Sequence, residues 1–213
     1  MAEKITVEIL AKLAPSTPVN RLELVCKALV TICPLYGMYE VDILQEFIAT
    51  LLEESREFKS YSENLSYSAE GLCRTWKKRF PTIASALPYA RNPQKLAEKV
   101  YGGRLGNKFP GDGWLFRGSG PIQQTGRGIV TEFCAYMKKT YGITKTPEEM
   151  AILIRTDDVY AIHSACWVFA IAKSLIDEAI ADDMVEITQK INGGQTNISA
   201  RLKYYDACVR LIV

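Results

Sequence analysis

Nine of the 14 glycines in the chain fall between Gly102 and Gly128, and this concentration constrains the fold more than any other feature. A glycine in a helix interior costs about 1 kcal/mol relative to alanine, so the stretch reads as loop or short strand. Backbone of that kind can approach a ligand closely. On both sides of it, apolar residues recur at helical spacing. Val19–Tyr36 carries Leu22, Val25, Leu29 and Ile32 on one stripe and ends at Pro34 and Gly37. The next helix begins near Asp42 and aligns Leu44, Phe47, Leu51 and Phe58, with Glu54 on that stripe and Glu46, Glu53 and Glu57 on another face. Ala69–Phe80 reads as a helix stopped by Pro81, and Pro93–Tyr101 as one with proline at its start. Beyond the glycines come Ile129–Tyr141, capped by Gly142, and the short Pro147–Ile154. Asp157–Ile180, apolar around most of its circumference, is the expected central core helix. Val185–Ile191 and Ser199–Ile212 follow, separated by a turn at Asn192, Gly193 and Gly194. The pattern predicts a mainly helical protein of about eight to ten helices with one irregular or β segment.

With 213 residues and 48% hydrophobic content, the chain suits one compact domain or two lobes sharing a cleft. A net charge of +2, with Lys and Arg read as scattered, argues against nucleic acid as a partner while tolerating an anionic polymer. The cysteines at 26, 33, 73, 134, 166 and 208 form no C-x-x-C pair and read as buried free thiols. Glu8 and Lys12 interrupt the first apolar run, which therefore reads as a short amphipathic helix and not a signal peptide. The longest apolar run, Ala165–Ala172, falls well short of the roughly 18–20 residues of a membrane span, so no membrane insertion is expected. No H-E-x-x-H, paired cysteines or calcium loop points to a metal or other cofactor. His163 reads as a satisfied core histidine. Gly118, Ser119 and Gly120 lack the surroundings of a phosphate-binding loop and read as tight backbone near a substrate.

Two carboxylates stand out in Leu51–Glu63. A carboxyl on the apolar stripe of a helix loses solvation when charged, which favours the protonated form that a general acid needs. Glu54 occupies such a position, and Glu63 sits in a wetter Tyr/Ser-rich segment that suits a base. The pattern by itself also allows, and favours, a plainer reading with Glu54 at a solvated helix edge and Glu63 on a surface loop.

Six blocks in order add to this: EESREF at 53–58, SENLSYSAEGL at 62–72, YARNP at 89–93, VYGGRLGN at 100–107, GDGWLFRGSGPIQQTG at 111–126 and INGG at 191–194. Together they resemble phage endolysins of glycoside hydrolase family 19, chitinase-like enzymes of the lysozyme superfamily. The resemblance implies a lysozyme-like α+β fold in a single catalytic domain over residues 1–213, without a separate wall-binding domain. Its cleft would be built from about residues 41–70, 102–128 and 190–201, between two lobes. By the same resemblance Glu54 is the general acid, Glu63 the general base of an inverting mechanism, and Thr125 the residue that holds the attacking water. Gln123, Asn192, Arg201 and Tyr67 are the implied substrate contacts.

The implied substrate is peptidoglycan, cleaved at the β-1,4 bond between amino sugars in the manner of a muramidase. The implied protein is a monomer that waits in the host cytoplasm until a holin-like lesion delivers it to the wall. A chitinase, a lytic transglycosylase and a catalytically silent wall-binding homologue are the alternatives. Several positions depart from the family pattern. Glu53 replaces a histidine before the first Glu, Arg56 and Glu57 replace two glycines, Ser119 replaces an arginine, and Gly128 and Ile129 replace an Asn-Tyr pair.

Overall fold

The computed structural model describes residues 4–194 and 197–213. Its described residues form thirteen α-helices and almost no strand. In chain order these are α1 (Val7–Leu13), α2 (Val19–Ile32), α3 (Val41–Glu54), α4 (Ala69–Thr75), α5 (Ile83–Ala86), α6 (Pro93–Tyr101) and α7 (Asp112–Leu115). They continue as α8 (Arg127–Tyr141), α9 (Pro147–Thr156), α10 (Asp158–Cys166), α11 (Ile176–Ile180), α12 (Met184–Asn192) and α13 (Ile198–Leu211). The protein is mainly α, as its periodicity predicts, and compatible with a lysozyme-like fold. The helices beyond the expected number are largely single turns, too short to produce a periodic signal. Residues 195 and 196, inside the 190–201 stretch expected to line a cleft, lie outside the described residues.

The chain divides into two compact units. The first comprises residues 1–61, 120–123 and 153–213, and the second residues 62–119 and 124–152. In the first unit α3 runs along α13, while α1 and α10 pack on α2. Every residue of α3 from Ile43 to Leu52 is buried, so this helix, and not Asp157–Ile180, is the central one. Asp157–Ile180 is not continuous. After α10 the chain makes a π-helical turn over Trp167–Ala172, Lys173 N–H bonds to Val168 O at 2.9 Å, and Ser174 takes a positive φ of 51° before α11 begins. Phe169 from this turn meets Phe47 of α3 edge-to-face at 5.1 Å. His163 is a satisfied core residue, 3.1 Å from the Tyr36 hydroxyl, and all six cysteines are free thiols, five of them buried.

In the second unit, Leu65, Leu72, Phe80, Leu96 and Val100 form the core. Local chemistry sets its helix ends. Ser68 Oγ accepts from Gly71 N–H to start α4, and Asn92 Oδ1 accepts from Lys95 N–H to start α6, with Pro93 in the first turn. The helix expected over 69–80 ends sooner, at Thr75. There the chain turns so that Lys77 and Lys78 reach solvent while Phe80 drops into the core.

The glycine-rich segment is ordered by two ion pairs that share Arg127. Arg127 donates to both oxygens of Asp112, at 2.9 and 2.7 Å, and to Glu148 at 2.6 Å. Asp112 Oδ2 also accepts from the Lys108 and Phe109 N–H groups, at 2.8 and 3.1 Å. Gly126 completes the closure, with φ of 101° and a Cβ position that would lie 2.4 Å from Leu105 Cβ, so only glycine fits.

The hydrogen bonds from Arg127 and from these backbone groups outweigh burial and hold the Asp112 carboxyl down at about 2. Because this is below its unfolded value of 3.8, the associated stability is present above pH 4 and is lost as pH falls towards 2. Asp112→Asn should therefore destabilise the protein by on the order of 2 kcal/mol at pH 7, with the difference closing as pH falls through about 4 to 2. Urea unfolding of both proteins across that range reads the effect. A difference independent of pH would show that the charge of Asp112 is not what matters.

Candidate active site

Glu54 is the last residue of α3, and the sequence after it fixes where the helix stops. Ser55 Oγ donates to Leu51 O at 2.6 Å and accepts from Phe58 N–H at 2.7 Å. Arg56, Glu57 and Phe58 then adopt φ of 53°, 61° and 63° in succession. Each left-handed non-glycine residue costs roughly 1–2 kcal/mol, so neighbours must enforce the turn. Glu57 does this, since its carboxylate accepts from the backbone and hydroxyl of Ser16 and from Tyr204 OH, and its carbonyl accepts from Thr17. Two positions where the family resemblance led one to expect glycine thus hold the glycine-like conformation with charged residues.

Beside Glu54, α13 contributes Arg201, whose side chain is fully buried and whose Nη2 donates to Glu54 Oε1. Among the described residues, Arg201 Nε and Nη1 have no hydrogen-bond partner, and neither do the two carboxyl oxygens of buried Glu46 or the hydroxyl of buried Thr50 on α3. Burial, with Asp182 and Asp183 adding to it and Arg201 opposing, pushes the Glu46 carboxyl up to about 8. Glu46 is therefore a neutral acid at pH 7, although its place on the helix face of Glu53 and Glu57 gave no sign of burial. Glu53 accepts at Oε1 from Asn197 Nδ2, 2.7 Å away at the start of α13.

Glu63 belongs to the second unit. Ser62 pairs antiparallel with Ser119, and Ser119 with Gln124. Gly126 N–H bonds to Phe116 O at 2.8 Å, so the register set by Ser119 and Gln124 does not run on past Thr125. Glu63 N–H donates to Gly118 O at 2.9 Å, Gly118 N–H returns to Glu63 Oε2 at 3.2 Å, and Tyr101 OH donates to Glu63 Oε1 at 2.7 Å. Burial and the adjacent Glu63 hold the Tyr101 phenol far above its ordinary range, so it remains a donor. Arg117 donates to Ser62 Oγ at 3.1 Å with its guanidinium 3.7 Å from the Trp114 ring centroid, and burial lowers its pKa against the opposing effect of Glu63.

The structure thus joins Glu54 to Arg201 in the first unit and Glu63 to Tyr101 and Gly118 in the second, where Thr125 is half-buried. Arg201 is fully buried, and its guanidinium reaches Glu54. Gln123, at a positive φ of 53°, turns its amide Nε2 back onto Gly120 O at 2.9 Å. Asn192 is exposed at the end of α12, where Gly193 forms the left-handed cap expected of a simple turn. Tyr67 is half-buried and packs edge-on against Trp76 at 5.1 Å. Sequence reasoning missed Tyr101, Gly118, Glu46 and Asn197 as site residues. Tyr101 lies within the block at 100–107, but no periodicity links it to a carboxylate 38 positions away. Among the described residues no group of three or more His, Cys, Asp or Glu is arranged to hold a metal ion.

Glu46 makes a signed prediction. Unfolded, its carboxyl titrates near 4.5, and folded near 8, so between these values the folded state keeps a proton that the unfolded state has lost. Stability therefore falls as pH rises through this window. Glu46→Gln, which leaves Asp182, Asp183, Arg201 and Tyr205 around it, should resemble the parent at pH 5 and exceed it by on the order of 1–3 kcal/mol at pH 9. Urea unfolding at the two pH values checks this, and an equal difference at both would refute titration of the buried acid.

No family model matches the chain. A Haemophilus influenzae protein described as a glycosyl hydrolase family 19 domain-containing protein is 34% identical to it over 163 residues, 76% of either sequence. That identity, sustained over three quarters of both proteins, shows that the chain belongs to glycosyl hydrolase family 19.

Proposed function

We propose that the protein is a peptidoglycan-degrading endolysin that hydrolyses the β-1,4 bond between amino sugars with inversion, Glu54 acting as general acid and Glu63 as general base. Family membership supports a glycoside hydrolase with a glycan substrate. The observation that carries the finer reading is the way the Glu63 carboxylate is held. That carboxylate is held by two donors, the Tyr101 hydroxyl and the Gly118 N–H, which fix the orientation a base needs. In this reading a water donates to Glu63 and is held by Thr125, leaving a lone pair for attack on the anomeric carbon. Glu54 would protonate the departing glycosidic oxygen. Arg201 occupies Glu54 Oε1, so the transferable proton belongs on Oε2, for which no partner exists among the described residues.

Tyr67, Gln123 and Asn192 are the remaining proposed substrate contacts, and the chemistry calls for no metal or organic cofactor. The endolysin role, with a monomer released from the host cytoplasm through a holin-type lesion, is supported by the likeness of the six sequence blocks to phage enzymes.

Mass analysis of products from purified peptidoglycan tests the reading. Reducing-end muramic acid is expected, whereas reducing-end glucosamine would mark a glucosaminidase, and release from chitin but not from wall a chitinase. Glu54→Gln and Glu63→Gln should each lower kcat by about 10²–10⁴-fold. Full activity of Glu63→Gln together with anhydro products would establish a lytic transglycosylase instead. Binding without any release of sugars by the parent protein would leave a silent wall-binding homologue.

A further inference from the structure

Positive charge is not scattered through the chain, as its net of +2 suggests. Residues 71–108 contain nine Lys and Arg against one acidic residue, Glu98. Glu98 is already committed, accepting from Trp114 N–H at 2.9 Å. Within the second unit, Arg74, Lys77, Lys78, Arg79 and Arg104 converge on one groove of about 500 Å³. Arg79 and Arg104 are drawn together because both donate to the same carbonyl, that of Val100, at 2.9 and 3.0 Å. Among the described residues none of the five forms an ion pair. Five cations without counter-charges in a concave site create a field that concentrates anions.

Trp76 and Tyr101 supply the aromatic lining of the groove. Tyr101 also fixes its place in the chemistry, since its hydroxyl holds Glu63. A ligand in the groove therefore lies one side chain from the proposed general base and belongs to whatever carries the sugar positioned there. The groove is concave and of the volume of a short peptide, which does not suit the flat face of a bilayer.

We propose that this groove binds the carboxylate-bearing peptide branches of a peptidoglycan strand, so that the enzyme reads acidic peptides on alternate sugars as well as the glycan itself. The inference rests on peptidoglycan being the substrate. It would make the protein favour peptide-bearing wall over neutral glycan, with a preference that weakens as salt screens the charges.

The test is calorimetric binding at low salt, using the full chain carrying Glu54→Gln to prevent turnover. The probes are soluble wall fragments with their peptides intact and the same fragments stripped of peptide by an amidase. Peptide-bearing fragments are expected to bind about tenfold more tightly, and adding Arg74→Gln, Lys77→Gln and Lys78→Gln should abolish the preference. These three exposed side chains make no internal ion pairs, and a thermal melt of the variant confirms that it folds. Equal affinity for the two fragments would overturn the proposal, as would a preference that survives the triple substitution. So would charge-dependent binding to phosphatidylglycerol vesicles in place of the fragments, which would assign the groove to a lipid surface. Binding is read without hydrolysis. A preference found in a protein whose parent releases no sugars would sustain the groove and overturn only the hydrolase reading.

Discussion

The buried contact between Arg201 and Glu54 is the constraint on which the first unit depends. Removing a guanidinium from water costs several kcal/mol unless its donors are matched, and here one nitrogen finds Glu54 while two find no partner among the described residues. Nothing in helix propensity asks for this arrangement. It exists because α3 and α13 pack along each other, and the apolar residues of that contact supply the stabilisation that offsets it. Glu46 and Thr50 add further unmatched polar atoms to the same helix. Groups that oppose stability in this way persist where a side chain has to be held in one orientation, and the residue held is the proposed acid.

The second unit solves a different problem. Glycine-rich backbone has too much freedom to present a carboxylate reproducibly, and the Asp112–Arg127–Glu148 network removes that freedom. Asn107 ties the two ends of the segment together, its side chain donating to Tyr101 O at 2.9 Å and accepting from Arg127 N–H at 2.8 Å. The residue that holds Glu63 is thereby anchored to the ion pairs that order the glycines. Flexibility in the sequence becomes a fixed setting for Glu63.

What the sequence revealed followed the range of the physics. Helix starts at Ser68 and Asn92, the caps at Gly37 and Gly142 and the loop character of 102–128 all depend on residues a few positions apart and were legible. Burial depends on what packs from far along the chain. Asp157–Ile180 has the more uniformly apolar sequence, yet α3 is the helix enclosed on all sides, with Glu46 inside it. The pairing of Arg201 with Glu54 spans 147 positions, and the packing places the arginine in the core. Charge was legible in total and misread in distribution, because a net value hides a strongly basic stretch inside an acidic remainder.

Inverting hydrolysis by two carboxylates makes a stereochemical demand that no binding or stability measurement addresses. Proton NMR of the first products, recorded before mutarotation, meets it most directly. Cleavage of β-linked amino-sugar strands should yield new reducing ends as α-anomers that relax slowly towards the equilibrium mixture. Initial β-anomers, or ends without an anomeric hydroxyl, would contradict a water activated by Glu63 and a bond broken by Glu54.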